Sequence, residues 1–291
     1  MKTLAIIMAA LCLASAVRAS STINTTNRYA YGANAGWIDG RGDGGTNGAV
    51  IGEFVCSGYL YGANLGWIHL GSGSPVNGFA YSNLATNDYG VNHDGAGNLR
   101  GCAYGANIGW ITFEQSYGQP RIDLLTGNLS GYVYGANIGW ISLSNALAFV
   151  QTDALDRGPD TDGDGIPDRW EYFRAGSLTN MNATTDSDSD GVKDKDEYVA
   201  DTNPFDAHDY LRITAFSMNS GGSTSTVTWS SHPTRLYQVQ SCDDLLSGSW
   251  TTNSPPGLVS PDAGATTTQD VPGSAATQRF FRIQAVLPRS P

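Results

Sequence analysis

The sequence predicts a mainly β protein of three units. An antiparallel β-repeat domain is expected over residues 20–150, a loop-rich acidic linker with short helices over 151–207, and a small β-sandwich over 208–291. Three observations point there. The charged fraction is 15%, well below the roughly 25% of ordinary soluble domains, and 36 of 291 residues are Gly. Helical bundles need charged surfaces, so this composition favours a turn-rich β chain. An eight-residue motif recurs four times. Finally, the chain's net charge of −11 sits in one stretch: residues 153–209 hold 16 of the 27 acidic side chains and 5 of the 16 basic ones.

The chain opens as an export signal over 1–19. Lys2 supplies a positive start, and the apolar run from Leu4 to Val17 is too short to span a bilayer. Val17-Arg18-Ala19 fits the small-x-small cleavage rule, so cleavage is expected after Ala19. Leu11 is too large for Cys12 to be a lipoprotein cysteine. No later apolar run approaches the roughly 20 residues of a spanning helix. The mature protein is expected to be secreted or held at the cell surface, without a transmembrane segment. Cys56, Cys102 and Cys242 then remain, an odd number. Cys56 could pair with Cys102, or both could be free buried thiols.

The repeat is YGANxGWI, beginning at Tyr31, Tyr61, Tyr104 and Tyr134. Gly and Asn tolerate the positive φ of a tight turn, and the flanking aromatic and β-branched residues alternate as strands do. Each copy is therefore a hairpin. Turns at 94–98 and 125–128 suggest a further strand, so about three strands per unit are expected. A lone hairpin cannot bury its own face, so the units must pack on one another. Alternation puts Ile38, Ile68, Ile111 and Ile141 on one face with Leu70, Phe113 and Leu143, the expected core. Trp37, Trp67, Trp110 and Trp140 fall on the other face, beside Asp39, His69, Thr112 and Ser142. Two readings stand: Tyr and Trp cover that face by stacking on each other, or the indoles form an exposed ligand face. His69 and His93 have no metal-ligand spacing around them and read as surface or turn residues. The motif is similar to a short Gly-Trp-Ile β-repeat of exported bacterial proteins, a resemblance that implies no chemistry.

The acidic stretch carries the strongest chemical signal. Asp160, Asp162, Asp164, Asp168 and Glu171 stand at positions 1, 3, 5, 9 and 12 of a twelve-residue loop, with Gly165 at 6 and Ile166 offering its carbonyl at 7. Asp186, Asp188, Asp190, Val192, Asp194 and Glu197 repeat the pattern around Gly191. Alternate acids on a curling loop converge on one hard cation, Gly permits the bend, and the last Glu can give two oxygens. That is the pattern of calcium loops, and calcium is the expected cofactor. No helix precedes either loop, because Arg157-Gly158-Pro159 and Asn182 to Thr185 stand there. Short helices are expected after them, from Asp168 to Arg174 and from Asp194 to Ala200. A fixed structural ion is thus expected rather than a sensor. Residues 156–206 resemble the thrombospondin type 3 repeats and related calcium linkers, through DTDGDGIPD, DSDSDGVKD and DTNPFDAHD. The resemblance implies a chain wrapped on calcium with little core. Glu171 and Glu197 follow the EF-hand pattern instead, and Asp201 with Asn203 could close a further site.

From His208 the chain turns to Ser, Thr and Val. Val227 with Trp229, Tyr237 with Val239, and Phe281 with Ile283 and Ala285 each share a strand face. The run from Thr226 to Ser241 is similar to two strands of fibronectin type III domains, which implies a fold and no function.

The acidic balance excludes nucleic acid as a partner, since phosphate needs clustered Lys and Arg. No Ser nucleophile elbow, zinc-binding His–Glu pair or phosphate loop occurs. Glu53, Glu114 and Asp123 are scattered carboxylates outside any catalytic setting. The expectation is a calcium-binding structural or adhesive protein and not an enzyme, with glycan binding through the Trp/Tyr rows as the alternative. Glycans, other surface proteins or further copies of the chain are the remaining candidate partners.

Overall fold

Each YGANxGWI copy folds as a hairpin. In the computed structural model, which describes residues 21–42, 47–219, 221–253, 257–274 and 278–290, β1 (Ile23–Gly32) and β2 (Gly36–Asp39) form the first. The export signal and Cys12 lie outside the described residues. β3 (Ser57–Gly62) and β4 (Gly66–Ser72) form the second hairpin. In the third, a short β5 (Val91–His93) precedes β6 (Leu99–Gly105) and β7 (Gly109–Phe113). In the fourth, the pair β8 (Arg121–Ile122) and β9 (Leu129–Ser130) precedes β10 (Tyr132–Gly135) and β11 (Gly139–Ser142). β12 (Val150–Thr152) lies along β1. The expected third strand is thus a short one, and among the described residues it occurs in the last two units.

Neighbouring hairpins join edge to edge and antiparallel, β2 to β3, β4 to β6 and β7 to β10. β11 then pairs back onto β1, Tyr31 opposite Ser142 and Gly32 opposite Ile141. Eight strands therefore close into a barrel, which leaves none of them with an open edge. The register is the same at every seam: Ile38, Ile68, Ile111 and Ile141 each face the first Gly of the next copy.

Inside, these four Ile lie across from Ala30, Leu60, Ala103 and Val133. Eight strands enclose just enough room for such side chains to fill. Leu70, Phe113 and Leu143 extend the core as expected. The variable residue of the motif, Ala35, Leu65, Ile108 or Ile138, folds back and plugs the barrel end. It is why the first Gly must lack a side chain: a Cβ on Gly105 would come within 2.7 Å of Ile108 Cγ1. The second Gly adopts φ between +76° and +80° in all four turns, the left-handed position of a short hairpin loop.

Asn closes the ring. Asn107 Nδ2 donates to the Leu65 carbonyl at 3.1 Å, Asn137 to Ile108 at 3.0 Å, and Asn34 to Ile138 at 3.4 Å. Each reaches the turn of the preceding unit, the first reaching round to the fourth.

Two histidines depart from expectation. His93 is buried, its Nδ1 beside the Gly52 carbonyl at 2.9 Å and its Nε2 accepting from Gly97 N–H at 3.0 Å. His69 is half-buried under Tyr59, with ring centroids 4.8 Å apart. The three described cysteines are free, Cys56 within the barrel core. Burial pushes the Cys56 thiol up to about 12, which makes it inert.

After the barrel come α1 (Asp168–Ala175) and α2 (Asp194–Ala200), within a residue of the sequence expectation. The C-terminal unit has β13 (Ile213–Met218), β14 (Thr224–Ser230), β15 (Leu236–Cys242), β16 (Thr251–Thr252), β17 (Thr266–Pro272) and β18 (Phe280–Val286). They form two antiparallel three-stranded sheets, β13-β14-β17 and β16-β15-β18. Val227, Trp229, Tyr237, Val239, Val271 and Ala285 fill the space between, with Phe281 and Ile283 at the margin.

Candidate metal centre and aromatic belt

The acidic loops curl as their spacing predicts. Asp160 accepts backbone N–H bonds from Gly163 (2.9 Å), Asp164 (3.2 Å) and Gly165 (2.9 Å). Gly165 has φ +89° and Gly191 +98°, so the sixth position needs Gly in both loops. Asp186 accepts from Asp190 and Gly191 in the second loop.

The first loop brings ligand atoms of Asp162, Asp164 and Glu171 within 4.8 Å of one another, and those of Asp160, Asp162 and Asp168 likewise. The second does so for Asp186, Asp188 and Asp190. Several buried oxygens of these loops have no hydrogen-bond partner: Asp164 Oδ2 and both Glu171 oxygens in the first, Asp188 Oδ2, Asp190 Oδ2 and Glu197 Oε2 in the second. Glu171 and Glu197 are both 0% exposed. A buried carboxylate without a donor is costly. Burial, then the charges of Asp162 and Asp164, push the Glu171 carboxyl up to about 8. Burial and Asp188 do the same to Glu197, also to about 8. At neutral pH each position needs a proton or a cation.

The ninth-position acids do something further. Asp168 accepts from both the backbone N–H and the hydroxyl of Thr161. Asp194 accepts from Ser187 N–H at 3.0 Å and from the hydroxyls of Ser187 and Thr185. They tie each loop to its helix, which suits a position that often reaches the ion through water. Ile166, at the seventh position, sinks its side chain into a small core with Trp170, Met181 and Tyr198. Val192 is half-buried at the equivalent position.

Asp201 belongs elsewhere than the expected further site. Its carboxylate accepts from Trp170 Nε1 at 3.0 Å, Arg174 Nη2 at 2.9 Å and the Thr234 hydroxyl. Burial opposes its charge, but Arg235, Thr234, Arg174 and Trp170 outweigh that and hold the carboxyl below its usual range.

Around it lies a junction of all three units. Arg235 of the sandwich, 1% exposed, pairs with Glu53 of the barrel at 3.0 Å. It also donates to the Tyr198 and Val199 carbonyls of α2. The Tyr198 hydroxyl and Arg157 reach the same Glu53, both at 3.1 Å. Glu53 is thus occupied by an ion-pair network. Glu114 accepts backbone N–H bonds from Ser116, Tyr117 and Gly118, and Asp123 from Leu125 and Thr126.

The four expected Trp form a belt outside the barrel. Each lies across from the Tyr that opens its own motif copy, with ring centroids 4.9–5.0 Å apart in all four pairs. The indoles remain 42–47% exposed. The rings therefore stack on one another and still remain half-exposed. Tyr29, Tyr59 and Tyr132 add an edge contact to their Trp. The third copy has Cys102 there, and Tyr89 from the long intervening segment fills the place, 4.9 Å from Trp110.

Fold and loops together define a mainly β protein with paired acidic, cation-suited loops between a closed barrel and a sandwich. Comparison with protein-family models, with curated proteins and with solved structures finds no match. No helix among the described residues is long and apolar enough to cross a membrane.

Proposed function

We propose that this is an exported structural or adhesive surface protein whose two acidic loops bind calcium, and that the ions stiffen the connector between the two β domains. One observation carries the reading: two fully buried Glu with unpartnered oxygens, Glu171 grouped with Asp162 and Asp164 and Glu197 under the charges of Asp188, Asp190 and Asp194. Calcium suits such all-oxygen sites of six to eight ligands, and extracellular modules bind it at roughly 10⁻⁴–10⁻³ M. Asp160, Asp162, Asp164 and Glu171 would hold one ion, with the Ile166 carbonyl. Asp186, Asp188, Asp190 and Glu197 would hold the other, with the Val192 carbonyl. Tyr198 on the second helix and Asp201 just after it hold the barrel and the sandwich, and Phe173 on the first packs against Phe54 and Phe79 of the repeat domain. Calorimetric titration of the chelator-treated protein should find two ions bound, and a D164A/D190A double variant should lose both. Absence of binding at millimolar calcium would overturn the reading.

The half-exposed Trp belt supports a second reading, a carbohydrate-binding module in which sugar rings stack on the indoles. A glycan array without binding would refute it.

A further inference from the structure

We infer that the cleft where barrel, connector and sandwich meet binds a small aromatic carboxylate. The cleft holds about 510 Å³, within the range of small-molecule pockets, which favour domain junctions. Three phenyl rings belong to its lining. Phe173 of α1 is 51% exposed, and its ring centroid lies 6.0 Å from Phe54 and 5.6 Å from Phe79 of the repeat domain. Rings tilted in this way accept a further flat ring edge to face. Residues 232–235 of the sandwich complete the lining.

The acids of the lining are already engaged. Glu53 is held by Arg235, Arg157 and Tyr198, and Asp201 by Trp170, Arg174 and Thr234. Asp94 accepts from the Ala96 and Asn98 backbone N–H groups and from Asn98 Nδ2, all within its own turn. Arg100 is different. Leu99 before it is buried in the barrel core, so strand alternation turns Arg100 outward, opposite Asn92. It is exposed, and among the described residues it has no hydrogen bond or ion pair. A guanidinium with all its donors free thus shares a cleft with three phenyl rings.

Charge and shape select the ligand. A guanidinium matches a planar carboxylate with two parallel hydrogen bonds. A dianion such as a phosphate monoester is disfavoured, because Asp94 shares the lining and the chain carries a net charge of −11. One carboxylate on a flat apolar body satisfies both the free cation and the rings. None of the proposed calcium ligands lines the cleft, so the inference stands apart from the calcium reading. All three units contribute to the lining, and a bound acid therefore favours their docked arrangement by mass action.

Calorimetric titration of the full chain, in calcium, with 3-phenylpropanoate tests it. Wild type should bind the probe saturably, with a dissociation constant of about 1 mM or below. The uncharged 3-phenylpropanamide and the sugar acid glucuronate each lack one half of the match, and should bind about ten-fold more weakly or worse. R100M should weaken 3-phenylpropanoate about ten-fold and leave the amide unchanged. F173L should weaken both aromatic probes. Both variants should keep wild-type near-ultraviolet circular dichroism. W67T, on the barrel belt, should bind as wild type does. A wild type without saturable binding, equal affinity for acid and amide, glucuronate binding as tightly as 3-phenylpropanoate, unchanged affinity in R100M or F173L, or loss of binding in W67T would each overturn the inference.

Discussion

Replacing Glu197 by Gln should act in opposite directions on the ion-bound and ion-free protein. Glu197 is fully buried, with one oxygen accepting from the Thr202 hydroxyl at 3.2 Å and the other without a partner. In the proposed ion-bound state that carboxylate faces a divalent charge. Removing one side of a buried charge pair costs about 3–5 kcal/mol, which is roughly two to three and a half decades in affinity. A site of ordinary extracellular strength would then be silent at millimolar calcium. Without the ion the balance reverses. The Glu197 carboxyl stands at about 8 and so holds a proton at pH 7, whereas Gln needs none. In the unfolded chain Glu197 ionises above about 4.5 while in the ion-free fold it must keep its proton up to about 8, so the ion-free melting temperature of E197Q should match wild type near pH 4 and already exceed it at pH 7. Calorimetric titration should fall from two ions to one, and the stabilisation by calcium in a melting scan should shrink with it. Two ions bound at wild-type affinity, or an E197Q variant destabilised as much in chelator as in calcium, would refute the reasoning.

Two other outcomes follow from the same groups. Glu171 and Glu197 stand at about 8 against an ordinary 4.5, so the ion-free fold holds more protons than the unfolded chain between those values. Its stability must fall as pH rises through that window, and calcium uptake at pH 7 should release close to one proton per site. Titrations in buffers of different ionisation enthalpy count those protons, and a count of zero would rule the assignment out. R235M should loosen the junction, since it leaves Glu53 with Arg157 and the Tyr198 hydroxyl alone and frees two α2 carbonyls. A loss of about 1–3 kcal/mol is expected, with a larger radius in small-angle scattering, and an unchanged radius and melt would contradict the role given to Arg235.

Local features were legible in the sequence because short-range sterics and alternation decide them. The left-handed Gly of each turn, the inward Ile row, the curling acidic loops and both helices fall where spacing puts them. Barrel closure was not legible, because it depends on β11 meeting β1 across the whole repeat domain. The plug and the Asn bonds between neighbouring turns followed from closure. Asn34 meets Ile138 only in a ring, although an Asn identical in four copies was a signal that it does more than turn. His93 was misread because a lone His in a turn-rich segment looks exposed until the surrounding loops bury it. Glu53 and Arg235 stand 182 residues apart, beyond the reach of any periodicity argument. Tyr89 could be found only after noticing that Cys102 breaks the Tyr pattern.

Position on α2 explains why an ion in a loop would matter to distant domains. A seven-residue helix is marginal alone, because nucleation costs more than one turn of bonds returns. On this helix Glu197 faces the acidic loop, while Tyr198, the next residue, donates to Glu53 of the barrel. Val199 and Ala200 pack into the sandwich core, and Asp201 caps the end while accepting from Thr234. No residue of the turn is left to absorb a local rearrangement. On the proposed reading, whatever orders Glu197 orders the contacts to both domains. Linkage makes this reciprocal: docking of barrel and sandwich holds the Glu197 backbone in place, and so must raise the affinity of the ion by the same factor by which the ion favours docking.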